Sequence, residues 1–181
     1  PLRYKFDSSG GAFEIWHPLG VEAVVLPAEQ QQATSTLAVA GVKLDQPLHA
    51  IKYSLPPRQE GESLAEFAAR AQRDLELNGA QFFGEPGEYR VTGYKFTTLE
   101  YERDSEDSGL LYHFLFIGPY GPRALVIDFS ARPQHREAVL PYVKKIIGSF
   151  KPLPELKRLY EEELDGPGEP GQPEHPGNSA E

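Results

Sequence analysis

The run Leu110 to Ile117 constrains this chain more than any other segment. Leu110, Tyr112, Phe114 and Phe116 alternate there with Leu111, His113, Leu115 and Ile117. Successive side chains of a strand point to opposite faces, so a strand made from this run is apolar on both faces and both must be covered. A second strong strand is read over Arg123 to Ser130. The connection Gly118-Pro119-Tyr120-Gly121-Pro122 reads as a rigid hairpin loop. A sheet with such a strand at its centre needs a layer on each side, and two separated helical patterns can supply them.

The clearer helix runs from Leu64 to Asn78. Ser63 stands at its cap, and Glu66 follows three residues later, the spacing of a reciprocal capping box. Leu64, Phe67, Ala68, Ala71 and Leu75 form one apolar stripe. Glu66 with Arg70, and Arg70 with Asp74, are four apart on the wet side, and Asn78-Gly79 supplies a left-handed stop. The second pattern lies within Pro133 to Ile147, where Val139, Val143, Ile146 and Ile147 share a side and Gly148 follows. Pro141 falls inside it, so that helix either kinks there or begins near Leu140; a kink is the expectation.

Further strands are read over Phe13 to His17, Val21 to Leu26, Leu37 to Val42, Leu48 to Leu55, Glu88 to Val91 and Gly93 to Glu102. Gly93 suggests a bulge or a close backbone approach. Glu29 to Ser35 reads as a polar loop and Arg103 to Gly109 as a charged turn. Hairpin-linked strands with two well-separated helices indicate α+β, an antiparallel sheet flanked by helices, rather than alternating βαβ units.

Composition divides the chain into a body, residues 1–151, and an acidic, Pro- and Gly-rich tail, residues 152–181. Of the net charge of −9, the tail carries −6 from eight acidic and two basic residues, leaving −3 on the body. Pro152 to Leu164 suggests at most a frayed helix. Asp165 to Glu181 has no apolar side chain larger than Ala and is expected to be disordered, because it cannot offset the entropy of ordering. Glu161-Glu162-Glu163 reads as a solvated acidic run, with recognition of a basic partner as the alternative.

The chain has no Cys, which excludes a disulfide framework, a thiol nucleophile and thiolate metal ligation. No cofactor is implied. No apolar run approaches the roughly 20 residues needed to span a bilayer, and no basic segment followed by an apolar one marks a signal peptide. The chain starts at Pro1 and contains no Met. That fits a cytoplasmic chain, slightly favoured, or an exported or membrane-associated mature domain. The body lacks Lys/Arg clusters interleaved with aromatics, which argues against nucleic acid as a partner.

Four features in order carry a family resemblance. They are the early strand with Phe13, Ile15 and Pro18, the capped helix after a middle strand, the strand with Val91, Gly93 and Tyr94, and a closing hairpin and helix ending in Ile146-Ile147-Gly148-Ser149-Phe150. From Tyr4 to Phe150 the chain resembles the PsbP-like fold family. That family includes the extrinsic photosystem II subunit, a Ran-binding nuclear import factor, DcrB-type bacterial proteins and chaperones of type VI secretion effectors. The resemblance implies an α/β/α sandwich and a non-enzymatic, accessory or chaperone-like role in binding another protein. It carries over no catalytic residue, and a homodimer stays open.

Candidate chemistry is sparse. His17, His49, His113, His135 and His175 show no metal-ligand spacing, and no nucleophile elbow, phosphate loop or dinucleotide fingerprint occurs. His113, in the most apolar strand, is either a satisfied strand histidine or the centre of an acid–base or small-ligand pocket with Tyr112 and Asp128. A hairpin placing Ile117 opposite Arg123 would put Asp128 opposite Tyr112, on the other face from His113. Trp16 and Tyr120 are the tentative partner-binding anchors. The plainer expectations are a Trp16 partly buried in the core and a Tyr120 that is an ordinary turn residue.

Overall fold

The computed structural model describes residues 2–5, 13–18, 20–42, 47–154, 156–158 and 160. In chain order the elements are β1 (Leu2–Lys5), β2 (Phe13–His17), β3 (Val21–Val25), α1 (Ala28–Thr34), β4 (Thr36–Val42), β5 (Leu48–Ser54) and α2 (Leu64–Leu77). They continue with β6 (Gln81–Phe82), β7 (Gly87–Val91), β8 (Tyr94–Ser105), β9 (Gly109–Tyr120), β10 (Arg123–Ala131), α3 (Arg136–Ile147) and β11 (Lys151–Pro152). The main sheet is eight-stranded in the order β3-β4-β5-β10-β9-β8-β6, with β7 also paired to β8; a small sheet has the order β1-β2-β11. All strand pairings are antiparallel. β9, the run with two apolar faces, sits inside the main sheet between β8 and β10, as its pattern requires.

One face of the main sheet is sealed by α3, by the small sheet and by Leu156 and Tyr160. Phe13, Ile15, Ile51, Tyr53, Phe96, Phe116, Ile127, Val143 and Ile147 meet there in one buried cluster. The other face is covered by α2, whose Leu64, Phe67 and Ala68 pack on Leu99, Tyr101, Leu115, Ile117 and Ala124. The capping box forms as read: Ser63 Oγ accepts from the Glu66 N–H at 3.2 Å, and the Ser63 N–H donates to Glu66 Oε2 at 2.8 Å.

Several expectations are corrected. Residues 28–34 form a helix rather than a loop. Its Ala-Glu-Gln-Gln-Gln-Ala run has helix propensity but buries no side chain, so it left no apolar period to read. Gly93 belongs to a two-residue hairpin turn: Val91 pairs with Tyr94, and Thr92 and Gly93 have φ of 46° and 87°. A Cβ on Gly93 would meet nothing, so no close approach explains it. The loop expected at residues 118–122 is only Gly121-Pro122, because β9 continues to Tyr120. Arg70 pairs not with Glu66 or Asp74 but with Glu62, at 2.7 and 2.8 Å, since Glu66 is held in the cap. For the last helix only the alternative start near Leu140 falls: α3 starts at Arg136, after a 3-10 turn at Pro133–His135, and runs across Pro141.

The boundary at residue 151 is also too early. Lys151 and Pro152 pair with Glu14 and Phe13 in the small sheet, and Leu156 and Tyr160, four apart, are buried in the core. Tyr160 packs on Tyr94, Phe96 and Phe150 at ring-centroid distances of 5.6, 5.5 and 5.6 Å. Gly118 leaves the space for it: a Cβ there would fall against the Tyr160 hydroxyl and at 2.9 Å from Phe96 Cε1. The rest of the tail, residues 161–181, lies outside the described residues.

Candidate functional site

The β9–β10 register decides which side chains meet. Arg123 stands opposite Tyr120, Asp128 opposite Leu115 and Ser130 opposite His113. The tighter turn reverses the parity that a five-residue loop implies. Asp128 is therefore a diagonal neighbour of His113 on the same face. His113 Nδ1–H donates to both Asp128 carboxylate oxygens, at 3.0 and 3.1 Å. A carboxylate partner requires the proton on Nδ1, which leaves Nε2 the acceptor in the neutral ring. On the other flank Tyr101, directly opposite His113 on β8, stacks on the imidazole with centroids 4.7 Å apart and planes at 4°. Burial, reinforced by the Asp128 charge, holds the Tyr101 phenol well above its ordinary pKa.

This row of Tyr101, His113 and Asp128 contains a base and the carboxylate that orients it, but no nucleophile. Ser130, across from His113, donates its hydroxyl to the Ala50 carbonyl at 3.3 Å. Among the described residues no hydroxyl is hydrogen-bonded to Nε2, and no group of three or more His, Asp or Glu is placed to hold a metal ion. A register shift on β5 leaves His49 unmatched beside this row, its pKa lowered by burial and by Arg132 and His113.

The other candidates separate. Tyr112 faces away from His113, as alternation demands, so Tyr112, His113 and Asp128 do not share a pocket. Its hydroxyl donates to Glu100 Oε1 at 2.9 Å, and that oxygen also accepts from Arg136 Nε at 2.9 Å. The Arg136 guanidinium lies 4.3 Å from the Phe83 ring and 5.4 Å from that of Tyr112, a clamp between α3 and the sheet that sequence spacing could not show. Trp16 is 38% exposed on the outer face of β2, whereas its neighbours Phe13, Ile15 and His17 are fully buried. The partly buried Trp expected in the core is therefore a surface residue. Tyr120 is half-buried and packs against the sealed core.

The face bearing His113 is finished unevenly. α2 covers it over β8 and β9, while over β10, β5, β4 and β3 it carries half-buried Val126, Asp128, Ala50, Ser54 and Val39 and exposed Lys52, Gly41 and Val24. β3 is an edge strand of the main sheet, and Val24 and Val25 at its end are 62% and 52% exposed.

No protein-family profile matches the sequence, and no curated protein matches it. Solved structures do. Cyanobacterial PsbP (CyanoP) from Synechocystis sp. PCC 6803 superposes with a TM-score of 0.57 at 13% identity, over 82% of this chain and 90% of its own. This chain has the PsbP-like fold. LpqN, involved in cell envelope biogenesis of Mycobacterium tuberculosis, matches at 0.54 and 11% identity over 84% and 91% of the two chains. A Pseudomonas aeruginosa protein of unknown function, PA94, a proposed regulator, matches at 0.53 and 16% over 84% and 98%. At such identities the likeness is one of architecture, and it extends the PsbP-like fold over most of each chain. No helix among the described residues is long and apolar enough to cross a membrane.

Proposed function

We propose that this PsbP-like domain is a non-enzymatic protein-binding module, accessory or chaperone-like, that takes an extended segment of another protein along β3. The observation that carries this reading is the exposed Val24 and Val25 on the β3 edge of the main sheet. An outer strand offers backbone donors and acceptors to an incoming strand, and side-chain contacts on alternate faces add specificity. Val24 faces the open half of the sheet beside Val39, so an added strand buries apolar surface there as well as pairing backbone. Trp16 and Tyr120 are secondary anchors, Trp16 the more accessible of the two.

Affinity capture from native lysate tests this, with the full chain as bait beside the V24K/V25K double variant and Tyr120→Ala. A protein recovered by the natural chain and lost with V24K/V25K supports the reading. Recovery of no protein, with a small molecule co-purifying instead, overturns it. Capture of a second copy of the chain alone would make the edge a dimer interface.

The Asp128–His113 contact favours a second reading, acid–base or ligand chemistry at Nε2. Histidine NMR on the natural chain and Asp128→Asn separates the two. A co-purifying molecule whose release follows His113 titration would move the function to this row.

A further inference from the structure

The small sheet lies on the opposite side of the main sheet from the open half, and its outer surface is chemically distinct from the rest of the chain. On β2, Phe13, Ile15 and His17 turn inward and are fully buried, while Trp16 is left outside. Arg3 is the register partner of Trp16, and Lys5 and Lys151 stand on either side of Glu14 in the next row but one. The Trp16 N–H donates to Ser149 Oγ at 2.8 Å, which places the chain just beyond α3 against this row. Lys144 and Lys145, in the last turn of α3, and Lys151 are exposed, and none of the three forms an ion pair among the described residues.

Charge is segregated along the chain leading into this sheet. Residues 144–158 hold five of the 18 Lys and Arg and a single acid, Glu155, in a chain of net charge −9. An exposed tryptophan, with Lys151 on the strand paired to its own and Lys144 and Lys145 in the helical turn before its partner Ser149, offers an anion with an apolar part both charge and contact area. We infer that the outer face of the small sheet, with Trp16 at its centre and Lys144, Lys145 and Lys151 around it, binds an acidic polypeptide segment. An anionic bilayer fits less well, because the remaining negative charge is repelled from such a surface and a single aromatic gives little insertion. A nucleic-acid strand fits less well too, because stacking successive bases takes a series of aromatics.

This surface is distinct from the β3 edge, so the two proposals fail separately. Trp16 is the only Trp in the chain, and its fluorescence reports this surface alone. Synthetic hexaglutamate titrated into the full chain should shift or quench that emission, and hexalysine should not. The K144Q/K145Q/K151Q variant should weaken the response about tenfold, as should a rise from low to near-molar salt, where screening shortens to about 3 Å. V24K/V25K should leave it unchanged. No response to hexaglutamate, an equal response to hexalysine, or no effect of the lysine substitutions overturns the proposal. So does a response to phosphatidylserine vesicles but not to peptide. A response that appears only in the full chain carrying E161Q/E162Q/E163Q would instead support it, with the chain's own acidic run as the occupant.

Discussion

On one face of the main sheet, Tyr53, Phe96, Phe116 and Ile127 are sealed beneath α3, the small sheet and Tyr160. On the other, α2 covers β8, β9 and Ala124 of β10, while the rest of β10, β5, β4 and β3 carries mostly half-buried or exposed side chains. The same strands serve both faces, so the difference lies in the layer laid over each. A sealed face supplies stability through burial, about 25 cal/mol per Å² of apolar surface. The open half adds little to stability and is the place where a partner gains most by covering it.

The largest effects should come from the layers themselves. Phe67→Ala removes the centre of the α2 layer and should cost about 3–5 kcal/mol in chemical denaturation. A loss below about 1 kcal/mol would mean that α2 rests on the sheet without sealing it.

Next in size is an acid effect confined to the sealed face. His17 is fully buried there beside Tyr53, its Nε2 hydrogen-bonded to the Tyr53 hydroxyl, and burial pushes its pKa from 6.5 down to about 4. Its neutral form is therefore the one that folds. The stability is present above pH 6.5 and is lost as pH falls through the folded value near 4, by about 3 kcal/mol in all. His17→Phe should flatten the stability profile between those two pH values, whatever it costs at pH 7. An unchanged slope would locate the acid sensitivity elsewhere.

Gly118 and Tyr160 give a smaller and two-signed test. Gly118→Ala should cost about 1–3 kcal/mol by overpacking against Tyr160 and Phe96. The Tyr160 hydroxyl is buried without a hydrogen-bond partner among the described residues. Tyr160→Phe should therefore be neutral or stabilising by up to about 1 kcal/mol. A clear loss in Tyr160→Phe would show that the hydroxyl has a partner. Smallest of all, ending the chain after Leu164 should leave the melting temperature within about a degree, because it keeps Leu156 and Tyr160 and removes no large apolar side chain. A drop of several degrees would show that residues beyond Leu164 dock on the body.

How much of this was legible in the sequence follows from what each element depends on. β9 and α2 declared themselves because their patterns are local: apolar residues at both parities in one, a capping box and a helical stripe in the other. α1 left no such trace, since a helix that buries nothing has no period. The Tyr160 plug was hidden in a segment whose Pro and Glu content resembles the tail, and only the spacing of Leu156 and Tyr160 hints at it. The His113–Asp128 contact turned on one fact of register. A two-residue turn instead of five changes parity and brings Asp128 to the histidine's face. Tyr101 and the Glu100–Arg136 clamp join residues 12 to 36 positions apart on neighbouring elements, a pairing that no local spacing encodes.

The central claim, that the open half of the sheet and its β3 edge bind protein, is tested most directly by amide hydrogen exchange of the full chain with and without its captured partner. Exchange at residues 21–25 and 36–42 should slow on binding, while α3 and the sealed face stay unchanged. Protection confined to the strands around Tyr101, His113 and Asp128, with residues 21–25 exchanging as in the free protein, would contradict it.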